Sequence, residues 1–217
     1  MIIELTLQSR GGVGKTIVSA ILTQYFQLLN RSLFCIDADI LNPNFSKFKN
    51  LNAELFTLGM DTSNDDWKQL ILRAEDINSE HLIIDIPSSL YIPIWSQLTK
   101  GRALANLNHE VRFHYLFINT EIDENGLSKI VDNFLAEPIV VWIHHNLNET
   151  KTRELLSNKY GINKFIYLSK RYDLKKIFTN HLTFKEIIKS STLSIYTKQN
   201  IILMLRELYQ QMEEAGL

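Results

Sequence analysis

The stretch SRGGVGKT at residues 9–16 decides the fold of this chain. It follows an apolar run at residues 2–7 and precedes a second apolar run that begins at Ile17. Three glycines let the backbone curl so that successive N–H groups point inward, and a helix start adds further N–H groups and the positive end of its dipole. A strand, a glycine loop ending in Lys-Thr and a helix together predict a phosphate-binding loop.

The loop also carries the side chains that a nucleoside triphosphate needs. Lys15 can reach the β- and γ-phosphates, and the Thr16 hydroxyl can bind the Mg²⁺ ion that accompanies them. The predicted nucleotide-binding residues of the loop are Arg10, Gly11, Gly12, Val13, Gly14, Lys15 and Thr16.

Arg10 is the unusual member of this set, because the position tolerates nearly any residue in an ordinary phosphate loop. An extra cation there either lies in solvent or reaches phosphates. The phosphates of its own nucleotide are awkward to reach, whereas those of a facing subunit are accessible. Arg10 therefore suggests a face-to-face dimer.

Length and composition favour one intracellular domain. The 217 residues, 45% of them hydrophobic, can bury a full core, so we expect a single domain over residues 1–217. The one cysteine, Cys35, lies in an apolar run and forms no disulfide within the chain. We expect a cytoplasmic protein without membrane insertion, since no stretch approaches the ~18 apolar residues of a membrane span and the first residues begin a strand.

Charge is unevenly distributed, although the formal net charge is only −1. Residues 151–206 contain twelve Lys or Arg against three Asp or Glu, an excess of nine positive charges. This segment could attract nucleic acid without sequence preference, or an acidic partner protein. The alternative is an ordinary solvated surface.

Apolar strands alternate with helical patterns along the chain. Alternation of this kind predicts an α/β fold, a mostly parallel central sheet with helices on both faces. The predicted strands are residues 2–7, 33–36, 81–86, 112–118, 139–143 and 165–168, and the predicted helices are residues 17–29, 65–74, 125–134, 150–160 and 199–212. Right-handed crossovers bring the loops after the strands to one edge of the sheet.

Carboxylates follow two of these strands. Asp85 ends the run at residues 81–86, where it is expected to hold the water shell of magnesium. Asp37 and Asp39 are two residues apart, and we expect Asp39 to touch the metal shell and position the attacking water. The alternative for Asp39 is a turn cap ahead of Asn42.

Polar residues also follow the last two strands. His144, His145 and Asn146 come after residues 139–143 and could contact a base. Two adjacent histidines raise the alternative of a metal site, but no acidic or thiol ligands stand near them at helical spacing. Residues 169–172 could form the other side of the base pocket.

The motifs resemble those of the deviant Walker P-loop ATPases, the ParA and MinD group. The matching residues are Arg10 with GGVGKT, Asp37-Ala38-Asp39, and Ile83-Ile84-Asp85-Ile86-Pro87, in that order. The chain more narrowly resembles the TraL-type proteins of plasmid conjugal transfer. That resemblance rests on CID at residues 35–37 with Asn42, Lys49 with LN at residues 51–52, VVW at residues 140–142, and the closing segment 182–199.

The resemblance implies an ATP-binding switch protein with slow, partner-stimulated hydrolysis. In this group a lysine at the position of Arg10 crosses an ATP-bridged dimer, so Arg10, Lys15 and Asp39 are the implied catalytic residues. Thr16, Asp39 and Asp85 are the implied metal-binding residues. The adenine-contacting asparagine of the group falls on His144, which leaves Asn146 as the candidate. The implied partners are a second copy of the chain and a protein of the conjugation or partition machinery.

Other functions remain open on the same fold. They include a nucleotide-binding scaffold without significant turnover, a DNA-partition ATPase, a membrane-positioning ATPase and a small-molecule ligase or kinase. The closing residues 212–217 contain two glutamates, which disfavours attraction to anionic lipid.

Overall fold

A parallel sheet forms the centre of the molecule. The computed structural model describes residues 1–58, 65–99, 109–134, 137–169 and 177–217. The strands are β1 (Ile2–Thr6), β2 (Leu33–Asp37), β3 (Glu54–Leu55), β4 (His81–Asp85), β5 (Glu110–Phe117), β6 (Ile139–His144) and β7 (Lys164–Leu168). They follow the order β3-β2-β4-β1-β5-β6-β7, and every neighbouring pair is parallel. The predicted α/β class is confirmed.

Seven helices are described around this sheet. They are α1 (Lys15–Leu28), α2 (Asp65–Asp76), α3 (Tyr91–Thr99), α4 (Thr120–Asn133), α5 (Glu149–Tyr160), α6 (Phe184–Lys189) and α7 (Ile195–Glu214). Short 3-10 turns occur at Lys49–Leu51 and Ser88–Leu90. None of the described helices combines the length and the hydropathy that a membrane-spanning segment needs.

Two apolar cores cover the two faces of the sheet. Neighbouring residues of β4 enter different cores, since Leu82 packs into one and Ile83 into the other, as the alternation of side chains along a strand requires. The first core includes Trp67 of α2, Ile94 of α3, Leu127 of α4 and Leu156 of α5. The second includes Ile21 of α1, Ile187 of α6 and Met204 of α7. Helices therefore lie on both faces, as predicted.

The strand order sets the position of the polar residues. β1 lies between β4 and β5, and its Thr6 is in register with Asp85 of β4. Asp85 is also in register with Asp37 of β2. Because all strands are parallel, these residues and the loop after β1 meet at one edge of the sheet.

Candidate nucleotide-binding site

The loop between β1 and α1 adopts the backbone of a phosphate cradle. Gly12 and Gly14 have φ angles of 70° and 108°, a region that favours glycine. Gly14 directly precedes α1, so the first N–H groups of that helix face the loop. Lys15 begins the helix and donates from Nζ to the carbonyl oxygen of Arg10 at 2.8 Å. The loop therefore brings the first N–H groups of α1 and an ammonium group to one place.

Thr16 and Asp85 form the closest polar contact beside this loop. Thr16 Oγ1 donates to Asp85 Oδ2 at 2.6 Å. The other carboxylate oxygen, Oδ1, accepts from Ser19 and from Thr6, each at 3.3 Å. A hydroxyl and a carboxylate are oxygen ligands of the kind that Mg²⁺ prefers, so the donor set fits this ion.

Burial perturbs both charged groups of the site. Burial raises the pKa of Asp85 to about 6, and the nearby Asp37 adds to this shift against the hydrogen bonds of Thr16 and Ser19 and the charge of Lys15. Burial lowers the pKa of Lys15, although the charges of Asp85 and Asp39 oppose that change. The hydrogen bonds and the lysine charge around Asp85 thus offset only part of the cost of burying its negative charge.

The two aspartates after β2 occupy different environments. Asp37 is fully buried, and its carboxylate accepts from the backbone N–H groups of Asp39 at 3.0 Å and Ser46 at 2.9 Å. Asp39 is partly exposed, and its Oδ1 accepts from the N–H of Asn42 at 3.0 Å. Asp37 therefore shapes the loop, and the more accessible Asp39 caps a turn within it.

The predicted base-contacting residues lie at the end of β6. His144 is the last residue of that strand, and its ring lies against that of His145 at a tilt of 34°, with centroids 3.9 Å apart. Asn146 is exposed, and its backbone N–H donates to His144 Nδ1 at 3.3 Å. Burial, followed by the charge of His145, lowers the pKa of His144. Of the segment at residues 169–172, all but Ser169 lies outside the described residues.

Among the described residues, the protein side chains alone provide few ligands for a metal ion. In the described parts of the chain, no group of three or more His, Cys, Asp or Glu side chains could hold a metal ion. A magnesium ion at Thr16 and Asp85 would take its remaining ligands from phosphates and water, which is the usual arrangement for this ion with nucleotides.

Sequence reasoning missed the polar residues that support this site. The Thr6 and Ser19 hydroxyls lie 2.9 Å apart, and each lies 3.3 Å from Asp85 Oδ1. Gln8 and Asp123 are buried behind the loop and bond each other at 3.1 Å. Polar residues inside or beside apolar runs are the signal that marks Thr6 and Gln8, whereas nothing in the sequence pairs Gln8 with a residue 115 positions away.

The fold and the loop together define a class. A parallel sheet with a glycine loop between β1 and α1, and a carboxylate at the end of the adjacent β4, defines a P-loop protein. No protein-family model matches this sequence. Two Escherichia coli proteins named Protein TraL are each 25% identical to it and cover 99% of this chain and 98% of their own length. The chain is thus a P-loop protein by its fold and loop, and it is similar to these two TraL proteins over nearly its whole length.

Solved structures share the fold at low sequence identity. The cell division protein MinD from Aquifex aeolicus has a TM-score of 0.56 and 15% identity, over 95% of this chain and 96% of its own. A putative plasmid partition protein from Borrelia burgdorferi, bound to AMPPNP, has a TM-score of 0.53 and 17% identity, over 95% of this chain and 98% of its own. These similarities show that the chain shares the fold of the MinD and plasmid partition proteins.

Proposed function

We propose that this chain is a single-domain, cytoplasmic ATP-binding switch protein with slow, Mg²⁺-dependent and partner-stimulated hydrolysis. ATP would favour a homodimer, and hydrolysis would release it. The single observation that carries the proposal is the Thr16–Asp85 contact of 2.6 Å beside the glycine loop and Lys15. It brings a hydroxyl, a carboxylate and an ammonium group to the place where a triphosphate and its magnesium ion fit.

The loop residues 10–16 would bind the phosphates, and Asn146 would contact the base. Lys15 would exchange its bond to the Arg10 carbonyl for the phosphates, and Thr16 with Asp85 would hold the metal and its water shell. Asp39, accessible on the loop after β2, would position the attacking water. A bound magnesium ion would supply charge neutralisation on the phosphates.

Arg10 supports the dimer. Its side chain is partly buried, and within the described residues its Nη1 is buried without a hydrogen-bond partner. A buried guanidinium nitrogen without a partner is costly, so the side chain would gain a hydrogen bond by moving out to a phosphate of a facing nucleotide. We propose that Arg10 reaches across the dimer and stabilises the transition state there.

The relation to TraL supports a role in plasmid conjugal transfer, with a protein of that machinery as partner. The solved structure of a plasmid partition protein keeps a partition role as a second candidate. Nonspecific DNA binding through residues 151–206 would add to either role. Of the cations described there, Arg153 and Lys159 are ion-paired with Glu149 and Glu124, so the others would carry it. DNA affinity should then fall steeply with salt.

Nucleotide binding and mass, measured together, test the proposal. With ATP and Mg²⁺, light scattering should show the mass rise from 25.2 kDa towards twice that value. Lys15→Ala should lose ATP affinity by about 100-fold, roughly 3 kcal/mol, because it removes charge-assisted hydrogen bonds to phosphate. Lys68→Ala, which removes an exposed lysine on α2, is the matched control and should behave as wild type. Undiminished ATP binding by Lys15→Ala would refute the site, and an unchanged wild-type mass would refute the switched dimer.

A further inference from the structure

Gln8 lies between β1 and the loop with its amide fully bonded. Its Nε2 donates to the carbonyl oxygen of Leu116 at 3.0 Å and to Asp123 Oδ1 at 3.1 Å. Its Oε1 accepts from Ser9 Oγ at 3.2 Å and from the backbone N–H of Arg10 at 3.3 Å. Both amide hydrogens and the amide oxygen are engaged, and only 1% of the residue is exposed.

These partners allow one orientation of the amide. A flipped amide would turn its oxygen towards the oxygens of Leu116 and Asp123, and its NH₂ towards the N–H of Arg10. Acceptor would then face acceptor, and donor would face donor. The network therefore holds the Gln8 oxygen towards Arg10.

Asp123 anchors Gln8 from the first turn of α4. Its Oδ2 accepts from the backbone N–H groups of Ile118 at 2.5 Å and Asn119 at 2.8 Å, which leaves Oδ1 for Gln8. Asp123 is 1% exposed, so three donors replace the water that its charge has lost. The anchor is rigid because it is tied to backbone at the end of β5.

Arg10 is therefore hydrogen-bonded at both its backbone N–H and its carbonyl oxygen. Gln8 binds its N–H, and Lys15 binds its carbonyl oxygen. On the proposed function, Lys15 leaves that carbonyl when it turns to the phosphates. Gln8 then remains as the side chain that fixes the Arg10 backbone.

We propose that Gln8, anchored by Asp123, is the positioning residue that aims Arg10 in the nucleotide-bound protein. This inference rests on the proposed role of Arg10 between two subunits. Gln8 touches neither phosphate nor metal in this account. It acts through the Arg10 backbone. Because Asp123 lies in the first turn of α4, the position of Gln8 depends on the start of that helix.

The test replaces Gln8 with methionine, which has a similar length and no hydrogen-bonding amide. Gln24→Met is the matched control, because Gln24 is a buried glutamine whose bonds go to Ala20 and Phe184, away from the loop. Each variant and Arg10→Ala are measured for ATP affinity, for association with ATP and Mg²⁺ by light scattering, and, except for Arg10→Ala, for NMR hydrogen exchange at the Arg10 amide. Asp123→Asn, which turns an NH₂ towards Gln8, is the second variant should Gln8→Met not fold.

In Gln8→Met we expect about tenfold faster exchange at the Arg10 amide and about tenfold weaker association, as loss of one anchoring hydrogen bond predicts. ATP affinity should stay within about threefold, because the phosphate-binding N–H groups and Lys15 remain. Gln24→Met should match wild type in all three measurements. An unchanged Arg10 amide, or ATP affinity that falls as far as association does, overturns the positioning role.

The two proposals fail in different ways. If Arg10→Ala loses association and Gln8→Met keeps it, the Gln8 proposal is wrong and the dimer stands. If Arg10→Ala itself associates normally, the proposed role of Arg10 is wrong, and the Gln8 proposal falls with it.

Discussion

Two buried carboxylates on neighbouring strands are treated in opposite ways. Glu4 of β1 and Asp85 of β4 are both almost fully removed from solvent. The pKa of Glu4 is lowered to about 2, whereas the pKa of Asp85 is raised to about 6. Since desolvation pushes both values upward, the difference comes from the partners that the protein provides.

Glu4 receives three donors. Its Oε2 accepts from His114 Nε2 at 2.7 Å, and its Oε1 lies 3.1 Å from His81 Nδ1 and 3.2 Å from Arg112 Nη1. The indole N–H of Trp142 donates to His114 Nδ1 at 3.1 Å, so the neutral form of His114 carries its hydrogen on Nε2, facing Glu4. Burial alone would raise the pKa of Glu4, but the hydrogen bonds from His114 and His81 and the charge of Arg112 outweigh it.

Asp85 receives hydroxyl donors, and its ammonium neighbour, Lys15, bonds the Arg10 carbonyl instead. Hydroxyls cancel less of the desolvation cost than cations do. The protein itself supplies the partners that balance the charge of Glu4. The charge of Asp85 is only partly balanced, and a bound metal ion would balance the rest. We infer that the unbalanced charge at the end of β4 lowers the stability of the protein and is kept because it serves the function.

The largest expected effect is on the Glu4 side. Glu4→Gln leaves Arg112 without its buried counter-charge, and we expect a loss of about 3–5 kcal/mol in the free energy of unfolding at pH 7. Because the folded pKa is depressed, the contribution of Glu4 is full above pH 4.5 and is lost as the pH falls through about 2. Urea unfolding at pH 7 and pH 3 should show the difference from wild type shrinking at the lower pH.

Glu110→Gln is the control for that variant. Glu110 contacts the same arginine, at 2.8 Å from Nη2, but its side chain is 42% exposed. We expect a loss of about 1 kcal/mol or less, since exposed ion pairs contribute little. Equal losses in both variants would contradict the structural role assigned to Glu4.

A second, smaller effect has the opposite sign. Without nucleotide or metal, Asp85→Asn should stabilise the protein at pH 7.5 by about 2–3 kcal/mol, as a pKa raised to about 6 implies. The folded pKa is raised, so the favourable term is full below pH 3.8 and is lost as the pH rises through about 6. The gain over wild type should therefore vanish near pH 4.

Thermal unfolding in a metal-free buffer at the two pH values measures this gain. Glu154→Gln, at an exposed position of α5, supplies the control for removal of one negative charge. If Asp85→Asn is less stable than wild type at pH 7.5, Asp85 is a structural residue like Glu4, and the contrast between them disappears.

The sequence predicts the loop, the parallel sheet and Asp85, because strong local patterns carry all three. The sequence patterns do not predict helix α3, which contains Pro93. The proline lies in the first turn, where its missing N–H leaves no helix hydrogen bond unmade. Helix α6 has only six residues, and its one sequence signal is the capping box that Thr183 and Glu186 form.

The partners of the buried carboxylates are harder to predict. Glu4 is bonded by residues 77, 108 and 110 positions away, and Asp85 by residues 66 to 79 positions away. These contacts depend on the order of the strands, which a single sequence does not state. The apolar pattern predicts which residues are strands, whereas the pairing of polar residues across strands requires the sheet.

The smallest expected effect comes from removing one hydroxyl beside Asp85. Ser19→Ala removes a donor to Asp85 Oδ1 at 3.3 Å, and Thr23→Val is its control, because that buried hydroxyl donates to the Ser19 carbonyl instead. Both substitutions should lower the free energy of unfolding by about 1 kcal/mol. Only Ser19→Ala should raise the pKa of Asp85, moving the pH midpoint of the stability profile upward by about half a unit. Matching profiles would mean that the hydroxyls near Asp85 hold α1 in place without tuning its charge.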